Sequence, residues 1–146
     1  AGPGLDEESG GPMAAVLFIG EACAARAPLA EAIARHVRPD LEVWAAGARP
    51  SHVRPEVRRV LDEAGIPFGG LRARSMLEVD MENVKLVVSL CLEHRRPSLP
   101  RRYDVVSRPL ADPSCAPQHE REEAYRACRD ALIDRLPRLL DHHLPS

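Results

Sequence analysis

The most constraining feature of this sequence is an alternation in which short apolar runs are each followed by a stretch with helical periodicity. Residues 14–19 (AAVLFI) form an unbroken apolar run that suits a strand buried on both faces. The run stops at Gly20, and after a small-residue loop a helix is expected, with Pro28 near its first turn and Leu29, Ile33 and Val37 as its apolar stripe. Residues 41–46 read as a second strand. Residues 55–64 read as a second helix, with Val57, Val60 and Leu61 inward and Gly65 as its stop. Residues 84–90 (VKLVVSL) carry the strongest strand signal, and residues 103–106 a weaker one. Residues 120–140 then place Tyr125, Leu132, Leu136 and Leu139 or Leu140 at helical spacing, and Pro137 is expected to kink or end the last turns. Such a succession calls for a parallel sheet flanked by helices, which takes its ligands at the carboxyl ends of the strands.

A length of 146 residues fits one domain. Residues 1–12 (AGPGLDEESGGP) are acidic, rich in Gly and Pro and nearly devoid of apolar side chains, so a disordered leader or linker is expected there, with the domain over residues 13–146. The 20 basic residues against 22 acidic ones give a formal charge of -2, which offers no general attraction for nucleic acid or an anionic membrane. Any anion must therefore be held locally. No apolar run approaches the roughly 18 residues of a membrane span, and no export signal is apparent, so the expected address is cytoplasmic. Cys23, Cys91, Cys115 and Cys128 lie far apart, which favours free thiols over a disulfide framework.

In a fold of this kind the turn from the first strand into the first helix is a natural anion site, because free N–H groups and the positive end of the helix dipole converge there. The turn here comprises Gly20, Glu21, Ala22, Cys23, Ala24, Ala25 and Arg26. Small side chains let the backbone curl closely, and Arg26 supplies a fork for a phosphate-like oxyanion. An arginine in this place also commonly makes a surface ion pair, and both readings stand at this level.

The residues Val16-Leu17-Phe18-Ile19-Gly20 and Arg26-Ala27-Pro28-Leu29-Ala30-Glu31-Ala32 resemble the opening V-L-F-V-C-x5-R-S-P-x-A-E-A of the low-molecular-weight protein tyrosine phosphatases and the related thioredoxin-coupled arsenate reductases. The resemblance continues through Ala45-Ala46-Gly47, residues 55–66, Arg74-Ser75, Ser89-Leu90-Cys91, Asp112-Pro113 and residues 125–130 (YRACRD), in order over about residues 14–140. It implies an α/β three-layer sandwich around a central, mostly four-stranded parallel sheet.

The resemblance also implies a thiolate nucleophile at the first position of C-x5-R, where this chain has Gly20, and a thiolate-stabilising serine where it has Ala27. Glycine has no atom with which to attack. Arg26 matches the arginine that clamps the oxyanion, and Asp112 matches the general acid. A general acid without a nucleophile cannot complete a double displacement, so Asp112 is expected to be vestigial; an Asp-Pro turn former is the plainer reading. Glu21 adds a carboxylate that would repel an oxyanion or pair with Arg26. Cys23 is the alternative thiol closest to the loop, with a pKa expected to be lowered by Arg26 and the helix N-terminus. Cys91 matches the second redox cysteine of the arsenate reductases, although a buried, inert thiol is the simpler account.

Cys91-x2-His94, Cys115-x3-His119 and His142-His143 do not form the repeated pairs of a structural zinc site, so no metal and no cofactor is expected. Residues 95–102 are locally basic and suit either solvent or an acidic partner. The sequence thus points to a phosphatase-like domain that is a pseudoenzyme, binding a phosphate-like oxyanion or a protein partner or fused domain. The alternative is a divergent thiol-dependent arsenate reductase or tyrosine phosphatase that uses Cys23 or Cys91.

Overall fold

The computed structural model describes residues 14–49, 51–92, 95, 98–100 and 102–146. The leader expected over residues 1–12 and His94 of the Cys91-x2-His94 spacing lie outside them. Strand β1 (Ala15–Ala22) leads into helix α1 (Arg26–Val37), followed by β2 (Glu42–Arg49) and α2 (Pro55–Glu63). Two 3-10 turns, Met76–Glu78 and Met81–Asn83, precede β3 (Val84–Ser89) and β4 (Val105–Ser107). Further 3-10 turns at Pro113–Cys115 and Gln118–Glu120 lead into α3 (Arg121–His143). The strands form one sheet in the order β2-β1-β3-β4, and every pairing is parallel. The fold is therefore the expected α/β one, a four-stranded parallel sheet flanked by helices.

The apolar run of β1 supplies both faces of the sheet, as period-two geometry requires. Val16 and Phe18, with Val43, Ala45, Leu86 and Val88 of the neighbouring strands, pack against Leu29, Ile33, Val57, Leu61, Tyr125, Leu132 and Leu136 of the three helices. Leu17 and Ile19 face the other way, onto a smaller cluster with Val79, Val84 and Val87 that Trp44, Met76, Met81 and Tyr103 partly cover. One face thus carries α1, α2 and α3 packed on one another, and the other carries the 3-10 turns Met76–Glu78 and Met81–Asn83.

β2 runs past its expected end at residue 46 to Arg49 and β4 starts at Val105 rather than at residue 103, and two further differences have a clear physical reason. β1 does not stop at Gly20 but continues to Ala22, because Gly20 pairs with Gly47 and Ala22 with Arg49 along β2. α3 passes through Pro137 and ends only at His143. The proline removes the N–H that would reach the carbonyl of Ile133, a residue 37% exposed, so water can take its place. Leu136, Leu139 and Leu140 beside it are buried in the core and hold the last turns down.

Candidate functional site

At the carboxyl end of the sheet a polar cavity of about 230 Å3 opens between the head of α1, the end of β2 and the turn that follows β4. Glu21, Ala22, Ala24, Ala25 and Arg26 of the expected anion loop line it, together with Arg49, Ser51, Arg54, Asp112 and Ser114. Three guanidinium groups therefore converge on it with two carboxylates.

The loop itself is shorter than the motif suggests. Because β1 runs to Ala22, residues 23–25 alone separate strand from helix, with the Ala24 N–H donating to the Ala22 carbonyl at 2.9 Å. No side chain caps the first turn of α1. Gly20 lies inside the ladder, and a side chain placed on it would meet only the Ala22 carbonyl oxygen, 3.4 Å from an ideal Cβ. The position has room for a side chain and carries none. Gly47 across the ladder is the opposite case, since a Cβ there would lie 2.5 Å from the Cys23 nitrogen and 2.7 Å from the Ala22 Cα. The turn rests directly on the bare backbone of Gly47.

Cys23 points away from the cavity. It is completely buried in the main core cluster, its thiol 4.0 Å from the Arg72 carbonyl. Burial pushes that thiol up to about 11, against the lowering expected from Arg26 and the helix head, because desolvation outweighs the nearby positive charge. Cys91 is also buried, its sulfur 3.6 Å from the Ser89 hydroxyl. Cys128 is buried beneath the site, and desolvation pushes its thiol up to about 12. Cys115 is exposed, and all four cysteines are free.

Arg26 spends one arm on the fold. Its Nη1 donates to the carbonyl of Leu90 at 3.0 Å and to that of Leu110 at 2.9 Å, tying the segments that follow β3 and β4 to the head of α1. Its Nη2 stands 3.8 Å from an Asp112 carboxylate oxygen. Asp112 forms a turn and also lines the cavity: it accepts from the Ser114 N–H at 3.0 Å and from the Ser114 hydroxyl at 2.7 Å, capping the turn Pro113–Cys115, while it lines the cavity with Arg26. Glu21 does not pair with Arg26. It accepts from Arg49 at 2.9 Å and from Arg95 at 3.0 and 3.1 Å, and the Arg95 hydrogen bond holds its carboxyl below the usual range.

Sequence reasoning missed Arg49, Ser51, Arg54 and Ser114. Arg49 and Ser51 had a usable signal, since they follow the second strand at its carboxyl end, where an α/β sheet presents its ligand groups. Among the described residues, no group of three or more His, Cys, Asp or Glu side chains could hold a metal ion. No described helix is long and apolar enough to cross a membrane.

Fold and site together define an α/β protein whose polar cavity lies at a strand-to-helix turn, over the carboxyl end of a parallel sheet. The chain belongs to the low molecular weight phosphotyrosine protein phosphatase family, whose sequence pattern matches residues 15–144. Comparison with curated proteins gives no significant match. Among solved structures, an arsenate reductase in its phosphate-binding state superposes with a TM-score of 0.76 at 22% identity, covering 90% of this chain and 99% of the other. An arsenate reductase from Archaeoglobus fulgidus superposes with a TM-score of 0.74 at 25% identity, covering 86% and 98%. The YwlE arginine phosphatase, in a mutant with a phosphorylated active-site serine, superposes with a TM-score of 0.73 at 22% identity, covering 88% and 94%.

Proposed function

We propose that this family member is a cytoplasmic pseudoenzyme that binds a phosphate-like oxyanion, free or carried by a protein partner, without turning it over. The observation that carries the reading is the state of the strand-to-helix turn. Gly20 stands where the family motif has its nucleophile, and the thiol closest in sequence, Cys23, is turned into the core with its proton firmly held. Thiolate attack needs an accessible, deprotonated sulfur, and Cys23 and Cys91 are both buried. The binding half of the site has stronger support. Arg26, Arg49 and Arg54 line one small cavity, and forked guanidinium groups suit tetrahedral oxyanions. The arsenate reductase relative in its phosphate-binding state supports the same ligand class.

The test is hydrolysis of a generic aryl phosphate by the native chain beside Cys23→Ser, Gly20→Cys and Gly20→Cys/Ala27→Ser. The native chain and Cys23→Ser are expected at background. Gly20→Cys is expected to stay silent as well, because β1 continues past it and the shortened turn no longer wraps the reacting group. Turnover by the native chain that Cys23→Ser abolishes would refute the reading and establish a divergent thiol enzyme.

A further inference from the structure

The cavity contains an anion of its own. Glu21 sits on its rim with its carboxylate between the guanidinium groups of Arg49 and Arg95, taking hydrogen bonds of 2.9–3.1 Å from both. Arg49 lines the cavity; Arg95 reaches in from a segment 74 residues away in sequence. This arrangement also absorbs the first arginine of the basic stretch over residues 95–102. A carboxylate held between two guanidinium groups, by Nη2 of Arg49 and Nη1 of Arg95, stands where the oxygens of an incoming phosphoryl group would be held. The strand extension explains why the glutamate stands in this place: with β1 running to Ala22 and Ala22 paired to Arg49, residue 21 is brought alongside the end of β2.

We propose that Glu21 is a resident competitor for the anion site, one that occupies Arg49 in the unliganded protein and sets the affinity and charge preference of the cavity. The proposal rests on oxyanion binding as the function of this cavity. A ligand gains the Nη2 of Arg49 only by displacing Glu21, and while the carboxylate remains on the rim it repels a divalent oxyanion more than a monovalent one. Two like charges about 6 Å apart at an effective dielectric of about 40 repel enough to change binding about tenfold.

The experiment is calorimetric titration of inorganic phosphate into the full chain, Glu21→Gln and Glu21→Asp at low salt, repeated at higher ionic strength. Glu21→Gln is expected to bind phosphate about tenfold more tightly than the native chain, with a gain that shrinks as salt is raised. Glu21→Asp, which keeps the charge, is expected within about twofold of native. A purely structural role for Glu21 would not produce the salt dependence or the rescue by aspartate. Equal, measurable affinity in all three chains overturns the competitor role and leaves oxyanion binding standing. No binding in any chain, with folding verified by circular dichroism, overturns oxyanion binding and the competitor role with it.

Discussion

Replacing Gly47 by alanine adds a single methyl group at the point where the strand-to-helix turn presses on β2. An ideal Cβ there lies 2.5 Å from the Cys23 nitrogen and 2.7 Å from both the Cα and carbonyl carbon of Ala22. All three are main-chain atoms, so no rotamer change relieves the overlap. Either the turn lifts away from β2 or β2 shifts, and the Gly20–Gly47 and Ala22–Arg49 pairings are strained with it. Over-packing in a tight site costs about 1–3 kcal/mol, and a clash confined to backbone belongs at the upper end, about 3 kcal/mol. For a chain of this size that corresponds to a fall of about 10 °C in Tm. The matched control is Gly20→Ala, whose Cβ meets only a carbonyl oxygen at 3.4 Å and which is expected within about 1 kcal/mol of native, since alanine is easier than glycine to order in a strand. Urea unfolding followed by circular dichroism, with the slope checked for constancy, reads both variants. If Gly47→Ala is as stable as the native chain, or if Gly20→Ala loses as much, the strand-to-helix turn does not rest on Gly47 and the close approach of β1 and β2 at that point is refuted.

Buried polar groups give further outcomes. Tyr125 is wholly buried with a hydroxyl that has no partner among the described residues, so Tyr125→Phe is expected to raise stability by about 1 kcal/mol in the same urea assay; a loss would reveal a partner for that hydroxyl. The thiols of Cys23 and Cys128, raised from near 9 to about 11 and about 12, stay protonated in the folded chain at pH values where the unfolded chain has released them. Their stabilising effect is complete below about pH 9 and is lost as pH rises through about 11 for Cys23 and about 12 for Cys128, with about 2–3 kcal/mol from Cys23, so Cys23→Ala should visibly flatten the alkaline fall in urea midpoint. At neutral pH a thiol reagent should label Cys115 quickly and the three buried cysteines only on unfolding.

The layer structure could be read from the chain because it depends on local patterning. The run over residues 14–19 suits a doubly buried strand, and the stripes Leu29/Ile33 and Val57/Val60/Leu61 face the one core that its neighbours build. The site was harder to read, because its geometry is fixed by pairings between distant segments. Whether β1 ends at Gly20 or at Ala22 depends on what β2 offers opposite it, and local sequence gives no register between the two. The side to which Cys23 turns depends on that register in turn. The partners of Arg26 are carbonyls at Leu90 and Leu110, groups every residue possesses, so no side-chain pattern could announce them. The Glu21–Arg95 contact spans a similar distance in the chain.

The grip of Arg26 on the segments that follow β3 and β4 bears on how such a chain changes over evolutionary time. A side chain that serves both a ligand and the scaffold is constrained twice, and losing the chemistry lifts only one constraint. In the proposed reading position 20 serves the ligand chemistry alone, so glycine there leaves out the nucleophile and keeps the ladder pairing with Gly47. Arg26 holds the Leu90 and Leu110 carbonyls by two hydrogen bonds, so the fold alone has a use for it. In any relative that loses the reaction the arginine should outlast the groups that serve the ligand alone, and its presence by itself says nothing about whether a reaction takes place.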